Sequence, residues 1–436
     1  MDNAHLDVTS IEAPARGTNL AQVQNLLSDL VVVDLTRALA GPQAAMMLGD
    51  LGARVIKVES PAGGDDSRGW GPPFVGSEEE RESTYFLSAN RNKESVTADL
   101  KSPEGKDFLT QLVRRADVLA ENFRPGVLDR LGFSVEQLHE LNPGLVILSI
   151  TGFGHDGPDG GRAGYDQIAQ GEGGLMSITG AVEPTKIGVP IADLLAGMYG
   201  AYGVLAALHE RRTTGKGRVV RTSLLASVIG VHAFHGTKWT VAGELPERVG
   251  NHHAQIAPYG MYRTKDDIVQ VAVGSEGQWR TFAPVVGIDP ADERFAANAQ
   301  RVAHRDELTA LIESAFSAAP ADVWLERLAE QGIPAGKVRD FQQVYEWEQT
   351  LSQGLLIDVE HPTLGRIQLP GPPLRFDDQP YAGAREVNLP PPRLGEHNES
   401  VRAWLDSENP TMPRGSDEVA DLSTRIEKVH PPVELI

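Results

Sequence analysis

VVVDLTRALAGPQAAMMLGDLGARVIKVES, residues 31–60, reads as strand, helix, strand. VVVDLT (31–36) is the short β-branched run that a buried strand needs. GPQAAMMLGDLG (41–52) is helical with Pro42 in the favoured first position, and ARVIKVES (53–60) returns to strand character. The alternation continues outward. In SPEGKDFLTQLVRRA, Ser102 is the expected cap, Pro103 lies in the first turn and Glu104 sits near the positive end of the helix dipole. DVLAEN (117–122) is the next strand, GVLDRLG and SVEQLHELN are helical, and LVILSIT (145–151) is a further strand. Strands alternating with helices predict a parallel sheet covered on both faces, a Rossmann-like layer.

After LVILSIT, the stretch TGFGHDG contains G-x-G-x-x-G at Gly152, Gly154 and Gly157. That spacing marks a dinucleotide site only when a helix starts at once and offers its N-terminus to pyrophosphate. Here Pro158, Gly160 and Gly161 follow, so the segment is expected to be a loop. Further on, GVPIADLLAGMYGAYGVLAALHE (188–210) holds one carboxylate, Asp193, ahead of a long run of small and apolar residues. Asp193 is expected at a helix N-cap, where the dipole stabilises it and its oxygens stay open at the helix mouth. Gly197, Gly200 and Gly203 recur every third residue and predict a bare helix face that another backbone or a ligand can approach.

The texture changes near Pro258. GMYRTK and IVQVAVG predict a hairpin, followed by helices in EGQWRTFAPVVG, DELTALIESAFSAA and AADVWLERLAEQG. LLIDVEHPTLGRIQLPGPPLRF then returns to strands and turns. The expected organisation is a polar leader (1–27), the first part of a large Rossmann-like domain (28–225), a linker and smaller mixed α/β domain (226–345), a return to the large domain (346–405) and a polar tail (406–436).

Composition narrows the chemistry. The chain has 436 residues, 41% of them hydrophobic, enough for a sizeable core. No apolar run near the roughly 20 residues of a bilayer span is evident, and the first residues lack a basic segment leading into an apolar one, so a soluble, cytoplasmic protein without a membrane partner is expected. The absence of cysteine excludes disulfides, thiolate metal sites and a cysteine nucleophile. A formal net charge of −20 argues against nucleic acid as a partner, so an anionic ligand must find a local basic cluster. Arg91, Lys93, Lys101, Arg124 and Arg130 supply one, several of them near expected strand ends where parallel sheets bind ligands. His232, His235, His252 and His253 do not by themselves make a metal set, and none is expected. Serines lack a G-x-S-x-G setting, which leaves Asp193 as the best placed nucleophile or base.

Several segments, taken together and in order, resemble the class III coenzyme A transferase family, which includes formyl-CoA transferase and carnitine CoA-transferase. They are DLTRALAGPQAAMMLGDLGARVIKVE (34–59), GDDSRGW (64–70), NRNKESVTADLKSPEGKDFL (90–109), ADVLAENFRPGVLDRLGF (116–133), LNPGLVILSITGFG (141–154), AGYDQIAQGEGGLMSITG (163–180), IADLLAGMYGAYGVLAALHERRTTGKG (191–217), GIPAGKV (332–338) and PPRLGEH (391–397). The resemblance implies an interlocked homodimer and places the nucleophilic aspartate on Asp193, with Tyr165 and Asp166 as auxiliary residues. It implies CoA contacts at Leu39, Ala40, Ala98 to Lys101, Asn122, Phe123, Arg124 and Arg130. The implied activity passes CoA from an acyl-CoA to a carboxylic acid through aspartyl anhydride and aspartyl-CoA thioester intermediates, with the CoA thioester as substrate and no tightly bound cofactor.

Two departures bear on the substrate. Leu39 stands where formyl-CoA transferase has glutamine, and GNHHAQIAPYG (250–260) replaces its glycine-rich lid, which argues against oxalate. This lid looks more like that of relatives using succinyl-CoA and other dicarboxylic acids, with His252, His253 or Gln255 facing the acceptor's far carboxylate. The alternative is an α-methylacyl-CoA racemase, but its Gly-His-Asp segment reads Gly164-Tyr165-Asp166 here, without a second base. A noncatalytic nucleotide-binding or scaffold protein is a third reading, and it predicts tight CoA binding without turnover.

Overall fold

Residues 26–407 are described by the computed structural model, in which the alternation around residues 31–60 grows into one six-stranded sheet. Its strands are β1 (Val31–Asp34), β2 (Arg54–Glu59), β3 (Lys93–Thr97), β4 (Val118–Glu121), β5 (Val146–Thr151) and β6 (Val219–Ser223). All are parallel, in the spatial order β3-β2-β1-β4-β5-β6. This is the order of a doubly wound nucleotide-binding sheet, with its topological switch between β1 and β4. The expected Rossmann-like layer is therefore present.

Successive strand residues point to opposite faces, and each face has its own cover. On one face, Val32, Val55, Val118, Val146 and Leu148 pack under α1 (Ala40–Asp50) and the long central helix. On the other, Val33, Ile56, Leu119 and Ile147 pack under α2 (Pro103–Arg115), joined by Val401 and Leu405 from the helix Asn398–Asp406. Ser102 caps α2 as expected, accepting from the Gly105 N–H. Two further helices frame the site, α3 (Asp166–Glu172) and α4 (Ile191–Thr214), with residues 152–165 forming the expected glycine-rich loop before α3.

Two local expectations need correcting. First, α1 starts at Ala40, so Pro42 is its third residue rather than its first. Second, Asp193 is the third residue of α4, and Pro190 holds the cap position. The carboxylate that caps α4 is Asp166, which accepts from the Ala192 N–H at 2.8 Å. The glycine face of α4, by contrast, is met by another backbone as expected, that of α1. A Cβ on Gly197 would lie 2.7 Å from the Ala40 carbonyl, one on Gly200 would lie 3.1 Å from Leu148, and one on Gly203 would lie 2.5 Å from Val220. The glycines let α4 press against α1 and the sheet, not against a ligand. This helix also has the length and mean hydropathy, 24 residues and 1.5, of a membrane span, which the sequence reading did not find. Part of its apolar character serves the core, through Ala192, Ala196, Ala201, Val204 and Leu208, while Met198, Tyr202 and Leu205 are exposed.

A second core lies around an antiparallel sheet of Tyr259–Arg263, Ile268–Ala272 and Ala335–Lys337. Trp279, Phe282, Phe316 and Trp324, from the helices Glu276–Val285, Arg305–Phe316 and Ala321–Glu330, fill it. The chain then makes the hairpin Leu356–His361 and Gly365–Pro370 and returns to the large sheet. There Arg385 donates to the carbonyls of Gly49, Gly52 and Ala53. Most of the expected leader and nearly all of the expected tail lie outside the described residues.

Candidate active site at the switch point of the sheet

In an open parallel sheet the strands on the two sides of the switch point send their following loops apart, leaving a crevice beyond their carboxyl ends. Here the loop after β1 carries Arg37 to Ala40, and the loop after β4 carries Asn122, Phe123 and Arg124. Asn122 ties the two loops together. Its Oδ1 accepts from the Arg37 N–H at 2.9 Å, and its Nδ2 donates to the Arg37 carbonyl at 2.7 Å. The Arg37 guanidinium lies over the Phe123 ring, 5.5 Å from its centroid. Leu39 and Ala40, both buried, are the N-cap and first residue of α1. Ala98 and Lys101 follow β3 on the same edge of the sheet.

The basic cluster divides by burial. Lys101, Arg124 and Arg130 are exposed, and no acid lies within ion-pair distance of any of them among the described residues. Arg91 and Lys93, expected in the same cluster, turn inward instead. Arg91 makes a two-pronged bond to Asp50, and Lys93 donates to Asp34, the Pro42 carbonyl and Asn90. A buried charge persists only with such partners, so these two are structural.

Beneath the β1 loop lies a wholly buried ion network. Lys57 stands 2.8 Å from Asp65 Oδ2 and donates to the Thr36 carbonyl at 2.8 Å. Burial works against the Lys57 ammonium, but Asp34, Asp65 and Glu59 together hold its pKa above the usual lysine value. Burial likewise opposes charge on Asp34, and Lys93 and Lys57 outweigh it, carrying its pKa below the ordinary range. Lys93 loses more hydration than Asp34 and Asp65 repay, the Lys57 charge adds to the loss, and its pKa falls to about 8.

Asp193 is placed by α4. Gly197, one turn further along, touches Ala40 at the start of α1, so Asp193 lies beside the β1 loop. Arg211, near the other end of α4, pairs with Asp117 ahead of β4, about 27 Å away at 1.5 Å per residue. The two ends of the helix thus mark the two edges of the sheet, with Asp193 at the carboxyl edge. Among the described residues Asp193 makes no hydrogen bond and no ion pair. Loss of hydration pushes its carboxyl up to about 7, and the Asp166 carboxylate adds to the shift. Asp166 is locked in place: besides Ala192, it accepts from Gln170 Nε2, and Gln170 Oε1 accepts from the Ile187 N–H. Tyr165, exposed, is the N-cap residue of α3 next to it.

One member of the site had no signal in the sequence. Tyr85 stacks edge-on against Trp70 at 4.8 Å. Burial, then the charges of Asp193, Asp166 and Asp65, push its hydroxyl up to about 12, so it shares their neighbourhood as a neutral donor. Its short helix, Thr84–Ser88, has no motif that would have marked it.

The substrate-loop residues form a separate group. His253 stacks on Phe234 and Tyr259, at 5.4 and 5.1 Å, and its Nδ1 accepts from the Gln255 N–H. His252 packs edge-on to Tyr262. Arg305 holds the loop by donating to the carbonyls of His253 and Ala254, and Asn298 donates to the Gln255 carbonyl. Burial and then Arg305 lower both histidine pKa values, so these rings are neutral donors at neutral pH. Among the described residues no hydrogen bond or ion pair joins His252, His253 or Gln255 to Asp193. The loop is nevertheless tethered to the segment leading into α4, through Gly250 N–H to the Gly180 carbonyl and Arg248 to the carbonyls of Ser177 and Val182. His232 is structural, its Nε2 lying 2.7 Å from the Gly173 carbonyl.

Known proteins are similar to this chain over most of its length. The family model described as CoA-transferase family III matches residues 27–398. A succinate–glutarate CoA-transferase of Agrobacterium fabrum is 40% identical over 389 residues, covering 87% of this chain and 96% of its own. The human succinyl-CoA:glutarate CoA-transferase is 38% identical over 379 residues, 86% of this chain and 85% of its own. A CAIB/BAIF family protein from Brucella suis, solved as a crystal structure, superposes with a TM-score of 0.78 at 42% identity, covering 88% of this chain and all of that one. The chain therefore belongs to CoA-transferase family III, and it is an enzyme that moves CoA between an acyl-CoA and a carboxylic acid.

Proposed function

We propose that the enzyme transfers CoA from succinyl-CoA, or another dicarboxylyl-CoA, to a dicarboxylic acid such as glutarate, with Asp193 as the covalent nucleophile. The observation that carries this reading is the state of Asp193: a half-buried carboxylate at the crevice, without a cation or donor among the described residues, whose pKa is pushed up to about 7. A carboxylate that its surroundings do not stabilise is a stronger nucleophile than one in a salt bridge.

In the first step an Asp193 oxygen attacks the thioester carbonyl, the C–S bond breaks and CoA leaves as thiolate. The mixed anhydride then takes the thiolate back at the aspartyl carbonyl, releasing the donor acid and leaving an aspartyl-CoA thioester. The acceptor carboxylate attacks that thioester, and the released thiolate captures the new acyl group, restoring Asp193. No net proton or electron is consumed. The buried Ala192, Ala196 and Gly197 help keep water from the anhydride. Tyr85, as a neutral donor, is suited to an oxygen on the reacting carbonyls. Lys101, Arg124 and Arg130, exposed and without an ion pair among the described residues, are the proposed cations for CoA phosphates, with Leu39, Ala40, Ala98, Asn122 and Phe123 as the further proposed contacts on that edge of the sheet.

The dicarboxylate preference rests on the two succinate–glutarate relatives and on the 250–257 loop, whose neutral histidines offer N–H donors to a distal carboxylate. A homodimer fits the exposed apolar row of Met198, Tyr202 and Leu205 on α4 with Phe234, Trp239 and Val241 nearby in sequence, and a second copy is the proposed cover. A racemase would need a second base near Asp193, and position 165 is tyrosine. The deciding experiment measures transfer from succinyl-CoA to glutarate, malate, mesaconate, itaconate, oxalate and a set of monocarboxylates. Preference for a C4–C5 dicarboxylate is expected. Preference for monocarboxylates would overturn the substrate assignment, and α-proton exchange without CoA transfer would overturn the mechanism.

A further inference from the structure

The turn that leads from β1 into α1 is held in a conformation its own sequence does not favour. Ala38 has φ of +68°, a left-handed backbone that residues with a side chain rarely adopt. Two successive peptide units around it are each gripped at both ends. In the unit joining Thr36 to Arg37, the carbonyl accepts from Lys57 Nζ and the N–H donates to Asn122 Oδ1. In the unit joining Arg37 to Ala38, the carbonyl accepts from Asn122 Nδ2 and the N–H donates to Asp65 Oδ1 at 3.0 Å. The two outer grips, Lys57 and Asp65, are one buried ion pair, 2.8 Å apart. Asp65 is itself fixed, since its Oδ1 also accepts from the N–H and hydroxyl of Ser67 and its own N–H donates to Glu59. Gly41 completes the fit, because a Cβ there would fall 2.3 Å from the Thr36 side chain.

We propose that Lys57 and Asp65 are positioning residues for the CoA thioester: from within the core they hold the Thr36–Ala38 turn in the left-handed form that presents Leu39 and Ala40 to the crevice. The inference rests on the reading of this crevice as the CoA site and adds residues that touch no substrate. It explains why a wholly buried ion pair lies under a loop at the sheet's switch point. Ordinary packing needs no charge there, and a pair of this kind tends to specify one geometry rather than to add stability. The same network reaches the other wall of the crevice. Glu59 binds Arg68, and the Arg68 guanidinium lies 3.7 Å over the Phe86 ring beside Tyr85.

The dissociation constant of free CoA, measured by titration calorimetry beside the melting temperature, tests this with three variants. Asp65→Ala removes the grip on Ala38 and is expected to weaken CoA binding at least tenfold. Ala38→Val leaves the ion pair untouched but puts a β-branched residue where φ is positive, and a similar loss is expected. Ala38→Gly placed in the Asp65→Ala background is expected to recover at least threefold, because glycine takes the left-handed form without help. A purely structural role would lower the melting temperature of Asp65→Ala, leave its CoA affinity within twofold of wild type and give no recovery from glycine, and that result overturns the inference. A wild-type protein that binds no CoA would overturn the functional reading, and this inference with it.

Discussion

Two aspartates flank the same loop and meet opposite fates. Asp34, at the end of β1, is wholly buried, yet it has Lys93 at 3.0 Å, Lys57 at 3.9 Å and the Thr36 hydroxyl, and its pKa lies below the ordinary value. Asp193, at the mouth of α4, keeps partial access to solvent but has no partner among the described residues, and the charge that acts on it is another carboxylate, Asp166. The protein matches the acid it uses for architecture and leaves unmatched the acid it is proposed to use for chemistry. Function appears as a local failure of electrostatic compensation, maintained by a neighbourhood in which compensation is complete.

The sharpest way to break that contrast is to remove each carboxylate's charge in turn. Asp193→Asn is expected to lower CoA transfer by at least about 10³-fold, the scale of losing a covalent nucleophile, measured by initial rates of thioester exchange. Asp34→Asn acts on the other side of the contrast. Losing one partner of a buried pair typically costs about 3–5 kcal/mol, so a large drop in denaturant midpoint is expected.

The stability effect of Asp193→Asn should have the opposite sign. Between the unfolded carboxylate value near 4 and the folded value of about 7, the native state binds more protons than the unfolded chain, so stability falls as pH rises through that window. Above pH 7 the whole penalty is present. Asp193→Asn should therefore melt higher than wild type at pH 8, and the gap should shrink steadily towards pH 4. An unchanged gap across that range would mean that Asp193 is not destabilised.

The pH dependence of rate sharpens the same point. With only the carboxylate form acting as nucleophile, kcat/KM for the acyl-CoA should rise with pH to a midpoint near 7 and level off above it. Asp166→Asn removes the carboxylate charge that adds to the Asp193 shift while keeping an oxygen for the Ala192 N–H, and should move that midpoint to lower pH. The smallest effect is expected for Tyr85→Phe, a loss of about 10-fold in kcat from one neutral donor, with KM for CoA thioester little changed.

Much of the scaffold was legible because parallel strands buried on both faces leave short, dense apolar runs, as in VVVD and VILSIT, and because Ser102-Pro103-Glu104 carries a helix start in its chemistry. What could not be seen depended on partners far away in the chain. Arg91 and Lys93 read as part of the ligand-binding basic cluster because charges are exposed by default, and only folding brings Asp50 and Asp34 to them. The same holds for Lys57 and Asp65, which grip a turn about 20 and 27 residues away. The glycines of α4 announced a close approach but not what would approach, and it proved to be α1 and the sheet. Asp193 was visible as an acid at a helix start. Its lack of a partner, on which the proposed chemistry turns, is a property of the fold.

The most direct test is mass spectrometry of the protein incubated with succinyl-CoA and quenched with hydroxylamine or borohydride. The peptide containing Asp193 should carry the hydroxamate or the reduced product at that residue, and the modification should vanish in Asp193→Asn. An unmodified Asp193 peptide, recovered while CoA transfer proceeds at its normal rate and with the label found on another residue or on none, would contradict the account.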